Sequence, residues 1–130
     1  MPAQNYKPLT FTEILEVLSD TPFCRLAVAE NDQPYIVPMN FSWDFKNHHV
    51  IFLLFSEESG EKMQCMHANP KVSLEFEAFK GCDIRTVVAK GEIVNFIPIE
   101  RCHNTVVGIE IMSMSLSGRS YEMPFTTTTV

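Results

Sequence analysis

A short segment between a predicted strand and a predicted helix holds the residues best suited to bind an anion. It runs from Phe55 to Lys62, and a helical pattern follows it. The first N–H groups of a helix have no intrahelical partner, and they lie at the positive end of the helix dipole. Gly60 would let a ligand approach the backbone closely, and Lys62 adds a full positive charge. The segment therefore predicts a seat for one phosphate group, unless Ser59 serves only as a helix cap and Lys62 is solvated.

The elements that would position this segment are strands and two short helices. Thr10 and Glu13 have the spacing of a capping box, and a stripe of apolar residues with helical period follows them. A second helix is predicted after Gly60 and ends at Asn69-Pro70. Period-two patterns predict six strands, at residues 23–29, 35–41, 50–55, 71–79, 84–96 and 106–116. Because short turns join them, the pairing should be mostly antiparallel, and six such strands favour a closed β-barrel.

Several irregular positions refine this pattern. Pro38 cannot donate a ladder hydrogen bond, so its strand should be an edge or carry a bulge. Gly91 predicts a bulge in the long fifth strand. Trp43 to Asn47 is predicted to be a connection, and Pro98 to His103 one or two helical turns. The strand after it should end at residues 117–119.

Length and composition predict one domain over residues 1–130, with residues 120–130 forming a loose C-terminal tail. The formal net charge of −6 makes nucleic acid and anionic membranes poor partners. No signal layout or long apolar run is present, so we expect a cytoplasmic protein. The irregular spacing of the four cysteines predicts free thiols rather than a disulfide or zinc framework.

No constellation of catalytic or metal-binding side chains is evident. His48 and His49 are adjacent, and neighbours on a strand point to opposite faces, so they cannot both bind one ion from a regular strand. Glu75 and Glu77 share a strand face, but the opposite face is the apolar one, which favours solvent or an interface rim over paired catalytic carboxylates. We therefore predict no metal site and name no catalytic residue.

An ordered set of segments covering about residues 10–119 resembles a known family. The segments are residues 24–27, 33–41, 60–62, 69–76, 86–93 and 109–119. Together they resemble the pyridoxamine 5′-phosphate oxidase-like FMN-binding split-barrel family, and most of all its nitroimidazole-resistance-type branch. The resemblance implies a mostly β fold with a few short helices, namely a six-stranded antiparallel split β-barrel. It also implies the cofactor FMN, bound in the interface of a homodimer.

The resemblance places the cofactor on particular residues of this chain. The strand Val37-Pro38-Met39-Asn40 would lie beside the isoalloxazine ring and contact it through main-chain groups. Phe55 and Ser56 would flank the ring and the ribityl chain. Glu61 and Lys62 would hold the phosphate, and Thr86 would direct a polar side chain toward the flavin. For Arg25, a second phosphate-binding role and a solvent-facing role both remain open.

The same resemblance implies an FMN-dependent oxidoreductase that passes electrons from a nicotinamide or other donor to a small nitro, quinone or pyridoxal-like acceptor. Two departures leave other functions open. Many members of the branch have a histidine where this chain has Phe55, and the connection at residues 97–105 is shorter than is common. A non-enzymatic FMN-binding or electron-carrier module, a barrel that has lost its cofactor, and a haem-binding or deazaflavin-using relative are the alternatives.

Overall fold

The computed structural model describes residues 5–100 and 105–122, which form eight strands and two helices. In chain order these are β1 Tyr6–Pro8, α1 Phe11–Asp20, β2 Cys24–Glu30, β3 Gln33–Met39, β4 Phe41–Lys46, β5 His49–Glu57, α2 Glu61–Ala68, β6 Lys71–Lys80, β7 Asp83–Glu100 and β8 Thr105–Glu122. All strand pairs are antiparallel. No helix within the described ranges is long and apolar enough to cross a membrane.

The strands form one sheet that closes on itself at Asn40. Their order is β3-β2-β6-β7-β8-β5-β4, and β1 pairs with the far end of β8. The chain passes from β3 to β4 through Asn40 alone, so one continuous stretch lies at both ends of the sheet. The N–H of Phe55 donates to the Asn40 carbonyl oxygen at 3.4 Å. Because Phe41 pairs with Leu54, this bond extends the β4–β5 ladder by one residue to the end of β3. There β3 lies against β5, so that β2, β3, β5, β6, β7 and β8 surround the core.

The predicted split-barrel fold is confirmed, but the strand count is eight rather than six. One added strand is β1, which the sequence did not predict. The other is β4, in the stretch predicted to be a connection; Trp43 pairs with Phe52 there, and Asn47 and His48 form the turn with φ of 51° and 66°. Positive φ at both central residues is the type I′ geometry that suits a two-residue hairpin.

The prediction of helical turns from Pro98 is wrong, because β7 continues as a strand to Glu100. Beyond Ile93, whose N–H donates to the Pro70 carbonyl oxygen, this strand pairs only with β8 among the described residues, so the other edge of residues 94–100 is unpaired there. A proline on a free edge removes no ladder hydrogen bond, and Pro98 is tolerated there. Residues 101–104, which include Cys102 and His103, lie outside the described ranges.

The last strand is longer than predicted. It does not end at residues 117–119 but continues to Glu122, which pairs with Asp83. Gly118 faces the helix side of the barrel, where an added Cβ would lie 2.9 Å from side-chain atoms of both Leu9 and Ile14. The start of the predicted loose tail, residues 120–122, therefore belongs to β8. The remainder of that predicted tail, residues 123–130, lies outside the described residues.

The barrel interior is filled by one apolar cluster. Phe52 and Phe76 are fully buried and stack with ring centroids 5.2 Å apart. The predicted alternation of β6 is confirmed: Val72, Leu74 and Phe76 face this core. Helix α1 covers one end of the barrel with Ile14, Val17 and Leu18; other core residues are Cys24, Leu26, Val28, Met39, Val50, Leu54, Val87, Ala89, Ile109 and Ile111.

The capping box of α1 forms as predicted, and two ion pairs fix the helix to the sheet. Thr10 Oγ1 accepts from the Glu13 N–H at 3.2 Å, and Glu13 Oε1 accepts from the Thr10 N–H at 2.9 Å. The Thr10 backbone hydrogen bond, with smaller help from Arg85, lowers the pKa of Glu13. Arg85 on β7 contacts Glu13 and Glu16 at 3.0 and 3.1 Å.

Burial separates the cysteines of the described ranges into two groups. Cys24 and Cys65 are buried free thiols, and Cys82 is an exposed one. Burial raises the pKa of the Cys24 thiol to about 12, and it also raises the pKa of Cys65. Because the thiolate is the reactive form, neither buried cysteine should react in the folded protein.

We therefore expect iodoacetamide at about pH 8 to alkylate Cys82 rapidly in the native protein. Cys24 and Cys65 should be alkylated only after unfolding in guanidinium chloride. Peptide mass spectrometry of samples quenched at successive times measures this, and a Cys82→Ser variant is the control. Alkylation of Cys24 at the rate of Cys82 would contradict the buried environment described above.

Candidate functional site

Helix α2 begins without a side-chain cap. Its N-cap is Gly60, with φ 122° and ψ 173°, and no side chain bonds to the first turn. The first helical hydrogen bond runs from the Gln64 N–H to the Gly60 carbonyl oxygen at 3.1 Å. Ser59 therefore does not provide the cap that the sequence left open. The N–H groups at the start of α2 stay available to an external acceptor.

The space in front of this helix start is open. A Cβ built on Gly60 would meet no heavy atom within 4 Å, and the φ of 122° is one that side chains rarely adopt. Lys62 is half-buried in the first turn, and Glu61 beside it is exposed. Within residues 5–100 and 105–122, Lys62 forms no ion pair with a carboxylate. The uncapped N–H groups of the first turn thus border this open space, and Lys62 places a positive charge in the same turn.

Buried residues on the other side of α2 hold it against the barrel. Met63, Cys65 and Met66 are all buried. At the end of the helix, Asn69 Nδ2 donates to the Ala29 carbonyl oxygen at 3.2 Å, which ties α2 to β2. The orientation of the first turn is therefore fixed by core packing.

The end of β3 adjoins this region with its main chain. Met39 is buried, and the half-buried Val37 packs against the core. Pro38 and Asn40 alternate with them and are exposed. The structure thus permits contacts from the main chain of residues 37–40, which is the kind of contact the resemblance implies for them.

Phe55 and Ser56 lie next to this strand but face opposite sides of the barrel wall. The Phe55 N–H bonds to Asn40, and its half-buried ring is on the outer face opposite Gly108. Ser56 is 6% exposed, and its Oγ donates to the Glu57 carbonyl oxygen at 3.0 Å. Of the two, only Phe55 presents its side chain to the outer surface.

Thr86 is set apart from this cluster. It lies on β7 opposite Glu77, and β6 and β2 separate its strand from β3. Three strand spacings of about 4.8 Å place β7 about 14 Å from β3 along the barrel wall. Eight of the nine predicted site residues thus lie in neighbouring segments at the β3–β5 closure and the following loop and helix, while Thr86 is distant from them within one chain.

Arg25 lies on β2, on the outer face of the barrel between Pro38 and Thr86. It is the cross-strand neighbour of Pro38, and its Nη1 contacts Glu75 at 3.0 Å and Glu77 at 3.5 Å. Its guanidinium also lies 5.6 Å from the ring centroid of Phe23. These contacts on the outer face favour the solvent-facing role for Arg25. They also place both glutamates on the surface, as predicted.

Metal-binding groups are lacking in the part of the chain that the structure describes: no three His, Cys, Asp or Glu residues lie close enough to hold an ion. His48 occupies a turn, and the ring of His49 contacts the Ser113 carbonyl oxygen at 3.1 Å.

An apolar outer face that was not predicted from the sequence lies beside these eight site residues. Leu53 and Ile99 both reach over Gly108, where an added Cβ would lie 3.3 Å from the Cδ1 atom of each. The same face carries further apolar side chains, Ile51, Phe55, Ile97 and Met112, and one carboxylate, Glu110, which is the cross-strand neighbour of Leu53. The available signal was the uninterrupted apolar run of β5, since a strand that is apolar at every position is typically covered on both faces.

Comparison with known proteins identifies the chain's relatives. The family model described as pyridoxamine 5′-phosphate oxidase matches residues 11–96. An uncharacterized protein of Rhizobium meliloti is 33% identical over 81 residues, which are 62% of this chain and 50% of that protein. The matched part of the chain therefore spans about half the length of this curated relative.

Solved structures share the fold at low sequence identity. An FAD-binding protein from Mesorhizobium loti superposes with a TM-score of 0.69 at 23% identity, covering 90% of this chain and 99% of that one. A candidate 5-nitroimidazole antibiotic resistance protein from Bacteroides thetaiotaomicron gives a TM-score of 0.72 at 15% identity, covering 92% and 90%. At these identities the likeness establishes the split-barrel fold alone.

Proposed function

Since the chain belongs to the pyridoxamine 5′-phosphate oxidase family, we propose that it binds FMN, with the phosphate at the start of α2. The observation that carries this proposal is the uncapped first turn beside Gly60 and Lys62. An FMN phosphate would accept from the free N–H groups and pair with the Lys62 ammonium, both of which are strong partners for an anion. The likeness to an FAD-binding protein of the same fold supports a flavin as the ligand.

The ring system would extend from the phosphate toward the β3–β5 closure. There the main chain at Pro38 and Asn40 offers polar groups, and the half-buried Phe55 offers an apolar surface for one part of the ring. Bound FMN would supply two-electron redox chemistry, while the protein binds, orients and shields it. Ser56 would contribute through its main chain, since its hydroxyl is already bonded to the Glu57 carbonyl oxygen.

A second copy of the chain would complete the site. The apolar outer face around Leu53, Gly108 and Ile99 borders Phe55, and an apolar face of this kind marks an interface. A two-fold partner would cover this face and the adjacent flavin in both copies at once. Because Thr86 is about 14 Å from β3 along the wall of its own chain, a role for Thr86 is easier to reconcile with the flavin of the partner than with its own.

The proposed activity is an FMN-dependent oxidoreductase that moves two electrons from a reduced nicotinamide or other donor to a small nitro, quinone or pyridoxal-like acceptor. A non-enzymatic FMN-binding or electron-carrier protein is the second candidate. The specific observation in its favour is Phe55, which supplies an apolar ring where many members of the branch have a histidine.

The absorption spectrum of the purified protein, before and after addition of FMN, tests the cofactor. We expect the visible bands of oxidised flavin, and we expect heat treatment to release FMN. Anaerobic addition of NADH or NADPH should then bleach these bands, and a nitro or quinone acceptor should restore them. Binding without such turnover would leave the carrier function. Failure to bind FMN, riboflavin or FAD would overturn the flavin proposal while leaving the fold intact.

Sedimentation equilibrium tests the assembly. We expect a dimer for the wild type, and a shift toward monomer for Leu53→Glu, since a second carboxylate beside its cross-strand neighbour Glu110 would be buried without a cationic partner. Ser117→Glu, exposed on β8 and nine residues beyond Gly108, is the matched control outside this face and should remain dimeric. A monomeric wild type that still binds FMN would reject the interface and keep the cofactor.

A further inference from the structure

A groove of about 640 Å³ crosses the outer face of β2, β6, β7 and β8, away from the start of α2. Its floor is made of small side chains from adjacent strands, since Ala27 is the cross-strand neighbour of Ser73. Lys90 follows Ser73 on the next strand. Ala29, bounded by Pro34, continues this floor toward the β2–β3 turn. Small residues at these positions leave a shallow apolar bed where long polar side chains would usually cover a sheet.

One wall of the groove is a methionine on a β-bulge. The pairing register shifts between Lys90 and Gly91, and Met114 is the extra residue on β8 at that shift. Its side chain is 62% exposed and lines the groove. A flexible, polarisable thioether suits contact with a flat apolar or aromatic group. The bulge thus supplies an apolar wall at the far end of the small-residue floor.

Two lysines give the groove its charge. Lys71 and Lys90 lie on neighbouring strands two positions out of register, because Lys71 pairs with Glu92 and Lys90 with Ser73. Diagonal neighbours of this kind are about 7–8 Å apart, so two ammonium groups on long side chains can reach one anion. Within the described ranges neither lysine comes within 4 Å of a carboxylate, although Glu92 also lines the groove.

Lys71 and Lys90 differ from four other basic residues of this acidic chain, because those four contact carboxylates. The chain has 10 basic residues against 16 acidic ones, so its mean field repels anions. Arg25, Lys46, Lys80 and Arg85 all contact carboxylates. Two cations without such partners therefore face one apolar groove on an acidic protein, and the complementary ligand is an anion with an apolar body.

We propose that this groove is a second ligand site, which binds a small organic anion with a flat apolar body, such as an aromatic carboxylate or sulfonate. The ring lies on Ala27 and Ala29 beside Ser73, the anionic group is held between Lys71 and Lys90, and Met114, three strands from Ala27, borders the far end of the groove. The volume is in the range of sites for small molecules. This site is independent of the flavin proposal, since it uses none of the same residues.

Isothermal titration calorimetry with naphthalene-2-sulfonate, compared with uncharged 2-naphthol, tests the proposal on the protein as purified. We expect the sulfonate to bind with one site per chain and more tightly than 2-naphthol. The Lys71→Gln/Lys90→Gln variant should raise the sulfonate Kd at least about tenfold, because two charge-assisted contacts are removed. The charge-matched control Lys46→Gln/Lys80→Gln should leave it within about twofold.

Amide chemical shifts locate the bound probe. We expect the sulfonate to shift the Ala27, Ser73 and Lys90 resonances. A second test is Ala27→Trp, whose large outward-facing side chain would fill the groove. We expect this variant to lose binding while its circular dichroism spectrum stays unchanged. Equal affinity for 2-naphthol and the sulfonate would overturn the proposal, as would an unchanged Kd in the lysine variant. Shifts confined to the α2 start would reassign the probe to the flavin region. An absence of shifts because a second copy covers the groove would also reject it.

Discussion

Lys62→Ala is expected to raise the Kd of the protein for FMN by about ten- to a hundredfold. A hydrogen bond to a charged group contributes about 1.5–3 kcal/mol, and this variant removes the cation that the proposed site directs at the phosphate. Lys62 is half-buried and has no carboxylate partner within the described ranges, so its loss leaves no internal charge uncompensated. Quenching of FMN fluorescence on titration with protein measures the Kd.

Riboflavin provides the internal control, because it has the ring of FMN without the phosphate. We expect Lys62→Ala to leave the riboflavin Kd within about twofold of the wild type, since it removes only a phosphate contact. Lys46→Ala, an exposed lysine near Asp44, is the matched protein control and should leave both constants unchanged. Equal loss of affinity for FMN and riboflavin would show that Lys62 supports the fold of the loop instead of binding the phosphate.

Gly91→Ala should lower the free energy of unfolding by about 2–3 kcal/mol, near the upper end of the range for overpacking a core. An added Cβ would lie 2.6 Å from the Met112 carbonyl oxygen and 2.9 Å from Ile111 Cγ2. The first of these atoms belongs to the backbone of the paired strand, so it can move only if the β7–β8 ladder moves. Urea denaturation followed by circular dichroism measures the difference.

Gly108→Ala is the control in the same sheet. The atoms nearest to its added Cβ would be the ends of the flexible Leu53 and Ile99 side chains, at 3.3 Å each, and the Ile97 carbonyl oxygen would lie at an ordinary contact distance of 3.5 Å. Alanine also restricts the unfolded chain more than glycine, so we expect the free energy of unfolding to change by less than about 1 kcal/mol. Comparable destabilisation by both substitutions would mean that general loss of glycine, and not the contact with Met112, determines the cost.

The local pattern predicted the fold well where one face of an element is buried. The capping box of Thr10 and Glu13 and the alternation along β6 are confirmed. The pairing is irregular at Gly91, but the extra residue there is Met114 on β8 and not a residue of the strand that holds Gly91. The errors fall where a strand has a free edge or face. Asp44 and Pro98 are poor strand residues by propensity, but each lies on a strand that pairs on one side only, where solvent tolerates them.

The candidate site could be predicted less completely, for a physical reason. The phosphate seat is local, because Gly60 and Lys62 are two residues apart and share one helix turn. The position of Thr86 relative to Pro38 depends on the register of three strand pairs, and sequence periodicity carries no information about register between distant strands. The orientation of Ser56 is an intermediate case: the alternation of β5 puts its side chain inside, whereas its place in the family motif suggested a direct role.

The crossing of the chain at Asn40 also bears on how the barrel assembles. The hairpins β2–β3, β4–β5 and β6–β7 join through two-residue turns and can form from local contacts. The bond from Phe55 to Asn40 belongs to the local β4–β5 hairpin. Closure between β3 and β5 must wait until the hairpins that contain them have formed, so the contacts between these two strands should be among the last native contacts to form and among the first to open. A ligand that bridges this boundary would bind only the closed barrel. Its concentration would then set how often the barrel opens, so the supply of cofactor in the cell would govern the lifetime of the folded protein.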